Sequence, residues 1–167
     1  MTEFERYVEE YSFELTHFCM KLCGNIHDAE DLFQDTWARA FDRFEQYRPE
    51  YSFKSWLFAI CANIFKNSKK HKYNTTKAVF ASEEEKERFI RSIPDKEQDV
   101  DAYLDLHSAM LSLPKKHRLV LVLYYFREFS QLEIADMLDI PEGTVKSRLN
   151  TAKKLLKRRL YDEENQR

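Results

Sequence analysis

Hydrophobic residues recur every three or four positions along most of the chain, the spacing of a helix face rather than the alternation of a strand. Phe4, Tyr7, Val8, Tyr11, Leu15, Phe18, Cys19 and Leu22 predict a first helix that ends at Gly24 and Asn25. Asp28 is placed to cap a second helix. Its broad apolar face carries Ala29, Leu32, Phe33, Thr36, Trp37, Ala40, Phe41 and Phe44, with Glu30, Asp31, Gln34, Asp35 and Asp42 outside it. Residues 47–52 read as a loop. In the third helix Phe53, Trp56, Leu57, Ile60, Cys61 and Ile64 point inward, while Asn63, Lys66, Asn67 and Lys70 fall three or four apart on one polar face.

Between Tyr73 and Asp99 the periodicity disappears and the chain becomes polar, with Glu83, Glu84 and Glu85 in a row. This segment predicts a flexible tether with room for one short helical turn. Helical spacing returns at Val100, Tyr103, Leu104, Leu106 and Met110, breaks at Pro114, and resumes through Leu119, Val120, Leu123 and Phe126. The expected architecture is all-α: two small helical domains, residues 1–72 and 100–167, joined by a linker over 73–99.

The stretch from Ser130 to Leu160 has the form of a helix, a tight turn and a second, basic helix. Ser130 and Glu133 have the spacing of a capping box, and Leu132, Ile134, Ala135 and Leu138 give the first helix its apolar side. That helix should stop near Leu138, because Ile140 precedes Pro141 and so avoids helical geometry, whereas proline suits the first turn of the next helix. Gly143 is expected at a crowded or close-approach position. Val145, Leu149, Ala152 and Leu156 then form an apolar stripe, opposite an arc of Lys146, Ser147, Asn150, Thr151, Lys154, Lys157 and Arg158 flanked by Arg148 and Lys153. Lysine and arginine neutralise phosphates, and serine, asparagine and threonine reach base edges, so this arc has the chemistry of a recognition helix in a major groove. A solvated basic helix that only packs is the plainer alternative.

Charge sharpens this picture. The net charge of −2 averages over segregated blocks. Residues 1–52 carry twelve acidic and five basic side chains, 53–81 carry six lysines and no acid, and 142–160 carry seven basic residues against Glu142 alone. Two basic zones suggest two nucleic-acid contacts, and the acidic first segment suggests a protein partner. The Asn63, Lys66, Asn67 and Lys70 row, beside an aromatic and charged loop, resembles a platform for a single strand. Only two glycines occur, which leaves no phosphate-cradling loop of the Walker or dinucleotide type. No catalytic constellation is visible, so neither enzyme activity, nor a small-molecule substrate, nor a cofactor is expected. His17, Cys19, Cys23 and His27 are near one another in sequence but lack the usual zinc spacing, and Cys19 and Cys23 read better as core residues in a reduced protein. The longest apolar run, Leu119 to Phe126, is too short to span a bilayer, so a soluble intracellular protein is expected.

Three stretches, DAEDLFQDTWARAF, FKSWLFAICANIFKN and LPKKHRLVLVLYYFREFSQLEIADMLDIPEGTVKSRL, resemble in order the motifs of the extracytoplasmic-function (ECF) sigma factors of bacterial RNA polymerase. The short gap between the halves leaves no room for the extra middle domain of housekeeping sigma factors. The resemblance implies that Asp31, Gln34 and Asp35, with Trp37, dock on the polymerase clamp helices, with a further contact to the flap. It implies that Asn63 and Asn67, with Lys66 and Lys70 on the same face, act at the minus-10 element. Lys146, Ser147, Arg148, Asn150, Thr151 and Lys154 would read the minus-35 element of promoter DNA. An anti-sigma factor is the implied regulatory partner, in the cytoplasm or at the membrane through that factor. A conventional helix-turn-helix regulator is the alternative, and nothing in residues 1–72 looks like its dimerisation module.

Overall fold

The computed structural model describes residues 1–68, 83–92 and 100–166. Among them the chain forms α1 (Glu3–Leu22), α2 (Ile26–Asp42), a 3-10 turn (Phe44–Gln46), α3 (Phe53–Asn67), α4 (Glu83–Ser92), α5 (Val100–Leu111), α6 (Lys115–Tyr125), α7 (Gln131–Leu138) and α8 (Glu142–Asn165). No strand occurs among the described residues. The all-α class follows from the three-to-four spacing, and local side-chain bonds fix where several helices start. Thr2 and Glu5 close a capping box on α1, and Ser130 and Glu133 close the expected one on α7, at 3.1 and 3.0 Å.

The start of α2 differs from expectation. α1 ends at Leu22, so the chain turns within residues 23–25 and leaves Asn25 extended; its side chain accepts from the Asp28 N–H at 2.8 Å. Asn25 is therefore the cap, and Asp28 lies inside the first turn, where its charge still favours the positive end of the helix. The segment expected as a tether also contains more order than one turn. α4 spans ten residues, carries Arg91 in its last turn, and Arg88 pairs with Glu30 of α2 at 2.6 Å.

In the first half, α1, α2 and α3 enclose Leu15, Phe18, Leu22, Leu32, Leu57, Phe58, Cys61 and Phe65, all essentially inaccessible. Phe53 lies flat on Tyr7, with ring centroids 3.9 Å apart. In the second half, α6, α7 and α8 enclose Val120, Leu123, Ile134, Leu138, Val145, Leu149 and Ala152. The two halves share one hydrophobic core. Phe58 of α3 has the Phe18 ring at 5.0 Å on one side and the Phe129 ring, from the loop before α7, at 5.9 Å on the other.

A buried arginine joins the halves. Arg118 of α6 is fully inaccessible, and its guanidinium donates to the Leu22 carbonyl at 2.7 Å and the Leu113 carbonyl at 3.0 Å, with its carbon 5.7 Å from the centre of the Phe65 ring. Leu22 is the last residue of α1, so its carbonyl has no partner within its own helix. On the rim, Glu14 of α1 receives both Lys54 of α3 at 3.1 Å and Arg127 at 3.4 Å.

Replacing Arg118 by methionine keeps the bulk and leaves two buried carbonyls unsatisfied. Urea unfolding should report a loss of about 3 kcal/mol, the scale of two hydrogen bonds from a charged group, and an unchanged midpoint would contradict the role assigned to this residue. A second expectation concerns acid. His107 of α5 is buried, and burial first, then the charges of Lys21 and Arg118, lower its pKa to about 3. The unfolded chain takes up a proton near the ordinary value of 6.5 that the folded imidazole refuses until about 3, so the folded state loses stability as pH falls through that window. Unfolding free energies measured across it should decline less steeply in His107→Leu, by up to about 1.4 kcal/mol per pH unit.

Candidate nucleic-acid interface

The turn between α7 and α8 is built by Asp139, not by a glycine. Asp139 takes the left-handed conformation (φ 53°, ψ 52°), and the Ile140 N–H turns back to the Ala135 carbonyl at 3.1 Å. Pro141 then starts the next turn and accepts from Thr144 and Val145 at 3.0 and 3.2 Å. Gly143 departs from expectation: its φ is not positive, and a Cβ there would meet nothing within 4 Å. It lies exposed in the open first turn of α8, because the sharp change of direction is already complete at Asp139.

α8 is 24 residues long, about 36 Å at 1.5 Å per residue. Val145, Leu149 and Ala152 bury one side of it against α6 and α7, with Leu156 half-buried beyond them. Lys146, Ser147, Asn150, Thr151 and Lys154 are all exposed on the other side. Lys153 lies over the Tyr125 ring, 5.4 Å from its centre, so this flanking cation rests on α6. Arg148 is half-buried and turns towards the junction between the halves. The open arc thus has three uncharged polar side chains between two lysines, on a helix held by its apolar back.

The polar face of α3 is positioned differently. The Asn63 amide donates to the Ala59 carbonyl at 2.8 Å and to the Met137 carbonyl at 3.0 Å, and Lys66 Nζ donates to the Leu138 carbonyl at 3.3 Å. Two of the four residues expected at the minus-10 element therefore satisfy the C-terminal carbonyls of α7. Asn67 is exposed, and Lys70 lies outside the described residues. In the loop before α3, the Tyr47 hydroxyl donates to the Tyr51 carbonyl at 2.7 Å and leaves the Tyr51 ring largely exposed.

On α2, Asp31, Gln34 and Asp35 are exposed, Asp31 next to Glu30 of the Glu30–Arg88 pair and the other two about one turn further on. Trp37 is not on that face. It is 9% exposed, stacks on Phe53 at 6.4 Å and meets Phe4 edge-on at 5.8 Å, so it belongs to the core. Three residues beyond Gln34 rotate a helix by most of a turn, but Trp37 still falls on the buried side because its large ring fills the space above Phe53.

The four candidate metal ligands do separate things. Cys19 Sγ lies 3.8 Å from Cys61 Sγ in the core, His17 Nδ1 donates to the Phe13 carbonyl at 2.8 Å, and His27 is exposed. Burial pushes the Cys19 and Cys23 thiols well above their ordinary pKa, which suits core packing and opposes thiolate chemistry. Local sequence gives no sign of the roles of Arg118, Lys115 and Lys116. In KKHRLVLVL they resemble any basic helix start, and only their long-range partners distinguish them.

The family described as sigma-70 region 2 matches residues 7–74, and that described as sigma-70, region 4 matches residues 109–158. The ECF RNA polymerase sigma factor SigW of Bacillus subtilis is 31% identical over 163 residues, covering 93% of this chain and 87% of SigW. The ECF RNA polymerase sigma factor SigL of Mycobacterium tuberculosis is 31% identical over 161 residues, with 92% and 86% covered. Among solved structures, the sigma factor RpoE in complex with the anti-sigma factor NepR from Bartonella quintana superposes with a TM-score of 0.72 at 22% identity, covering 96% of this chain and 98% of that one. The chain belongs to the ECF sigma factors of the sigma-70 family. A match through α1 to α3 sets aside the conventional helix-turn-helix regulator, which would need only the second half.

Proposed function

We propose that this chain is a promoter-specificity subunit: it docks on core RNA polymerase, reads the minus-35 element with α8 and the minus-10 element with α3, and itself makes or breaks no covalent bond. The observation that carries the reading is the open arc of α8, where Ser147, Asn150 and Thr151 lie between Lys146 and Lys154 on a helix whose opposite side is sealed in the core. Such a face neutralises phosphates at its edges and presents base-reading groups at its centre. The exposed carboxylates Asp31 and Asp35, with Gln34, form the surface for the polymerase clamp helices, and Trp37 supports it from beneath. The second half supplies the contact to the flap.

Asn63 and Lys66 can serve the minus-10 element only after they release the carbonyls of Met137 and Leu138. Docking on polymerase therefore separates the two halves and frees α3, with Asn67 and the Tyr51 ring, to hold an unstacked base. Engagement of both elements at once raises the effective concentration of the second contact. A protein that keeps the halves together would hold the chain inactive; RpoE of Bartonella quintana, which shares this fold, was solved with an anti-sigma factor, and a partner of that kind suits this chain. No helix among the described residues is long and apolar enough to cross a membrane, and a cytoplasmic site of action fits a polymerase partner.

Two experiments test this reading. Reversing Asp31 and Asp35 to lysine should abolish capture by core polymerase while the circular dichroism spectrum stays unchanged, because both carboxylates are exposed; undiminished capture would refute the docking surface. On DNA, Lys154→Ala should weaken all sequences alike and lower the salt slope by about one unit, whereas Arg148→Ala and Asn150→Ala should alter the ranking of mutated minus-35 sequences by about 1 to 3 kcal/mol. An unchanged ranking would place base readout elsewhere.

A further inference from the structure

The core between α1 and α3 holds two thiols in contact. Cys19 Sγ lies 3.8 Å from Cys61 Sγ, and the two residues are 1% and 0% exposed. They stand 42 residues apart in the chain, so only the packing of the two helices brings them together. Core packing alone is served by any small apolar side chain. Two thiols in contact on neighbouring helices are also the reduced form of a disulfide. The sulfurs need to close from 3.8 Å to about 2.05 Å, within the travel of two Sγ atoms that swing about their Cα–Cβ bonds. Cys23, buried one turn further along α1, offers an internal comparison.

Cover keeps the pair unreactive, and part of that cover comes from the second half. Phe18 directly precedes Cys19, and Phe58 lies one turn before Cys61. The Phe58 ring has the Phe129 ring of the second half at 5.9 Å and the Arg127 guanidinium at 5.9 Å, and the Arg127 charge acts on the Cys19 thiol. Burial first, then the bonded Cys61 thiol, raise the Cys19 pKa, so the packed protein withholds the nucleophilic thiolate. Arg127 and Phe129 leave with the second half whenever the halves part, and water then reaches the layer behind which the thiols lie. The first half is weakened at the same moment, since Leu22 loses Arg118 and Phe58 loses Phe129.

We propose that Cys19 and Cys61 are a redox pair: when the halves part, a peroxide joins them as a disulfide that ties α1 to α3 and holds the first half folded without its cover. One thiol gives its proton to water, and its sulfur takes an oxygen from the peroxide. The O–O bond breaks and releases hydroxide, which takes up a proton to become one water. The second thiol attacks the sulfenic acid so formed, the S–S bond closes, and the oxygen leaves as a second water. In sum, two thiols and one peroxide give one disulfide and two waters, and the two electrons lost by sulfur go to the O–O bond. The disulfide closes a loop that contains all of α2 and so restricts the unfolded chain. In a reducing compartment such a bond is transient. The trigger rests on the parting of the halves described under the proposed function, whereas the pair itself is set by the contact of α1 with α3 and needs neither polymerase nor promoter.

The test exposes the full chain, without polymerase or DNA, to a small molar excess of hydrogen peroxide, alkylates the remaining thiols in denaturant, and reads the intact mass and a peptide map without reductant. The expected product is lighter by two hydrogens, links the Cys19 and Cys61 peptides and leaves Cys23 to be alkylated. Cys61→Ser should abolish it and Cys23→Ser should keep it. Asn63→Ala combined with Lys66→Ala, which removes two bonds between the halves, should speed its formation about tenfold, the scale of two net hydrogen bonds lost from the packed state. The linked chain should unfold several degrees above the reduced one, and dithiothreitol should reverse the gain. The pair is refuted if the chain stays unmodified, gains oxygen at single cysteines, or forms its link through Cys23. An unchanged rate in the Asn63 and Lys66 double variant overturns control by opening, and a linked chain that unfolds no higher overturns the tie. Because no polymerase enters the experiment, its failure leaves the docking surface of α2 untouched, and failure of that surface leaves this pair untouched.

Discussion

A single guanidinium sets the relation between the two halves of this protein. Arg118 is sealed inside a largely apolar core, and it is tolerated there because two carbonyls accept from it. The Leu22 carbonyl ends α1, where helical partners run out, and the Leu113 carbonyl lies in the turn between α5 and α6. Burying a charge is costly unless its donors are used. The same bonds that offset that cost fix α1 against α6, and the Phe65 ring of α3 lies beside the guanidinium. Once these elements are set, Phe58 falls between Phe18 and Phe129, and the core runs continuously through both halves.

That placement decides what α3 and α7 do to each other. The end of α7 has carbonyls that lack helical partners, and α3 offers an amide and an ammonium at the right height. The contact is polar and partly wet, with each bond worth about 1 kcal/mol net. The apolar packing beneath it is stronger. An interface of this composition aligns the halves through a polar outer layer laid over apolar packing. On α8, Lys146, Ser147, Asn150, Thr151 and Lys154 remain exposed, whereas Arg148 on the flank is half-buried and turns towards the junction.

Charge segregation has a structural counterpart. The acidic block of the N-terminal segment is displayed on α2, where Asp31 and Asp35 remain exposed and Glu30 engages Arg88. The basic block of α8 is divided: one part is open to solvent, and Arg148 joins three lysines of α3 and α6 at a cavity. The near-zero net charge of the whole chain therefore conceals two surfaces of opposite sign.

The sequence by itself determined the helices and the exposed faces they carry. The Ser130–Glu133 cap, the stop at Leu138, the buried stripe of Val145, Leu149 and Ala152 and the basic arc opposite it were all legible, because capping bonds and helical periodicity act within four residues. Legibility failed wherever a residue's role depends on a neighbour distant in the chain. Asn25 rather than Asp28 caps α2, because α1 ends two residues before Gly24; Trp37 lies on the apolar face that periodicity gave it, where Phe53 and Phe4 receive its ring, and so does not join the acidic surface with which the resemblance grouped it. Gly143, expected at a crowded position, has open space around it, and Asp139 makes the left-handed turn. Arg118, Lys115 and Lys116 look alike in sequence, yet one lies in the core and two line a cavity. Periodicity assigns a residue to a face but carries no information about what that face meets, and only the packing of α1 and α3 against α6 and α7 supplied that partner.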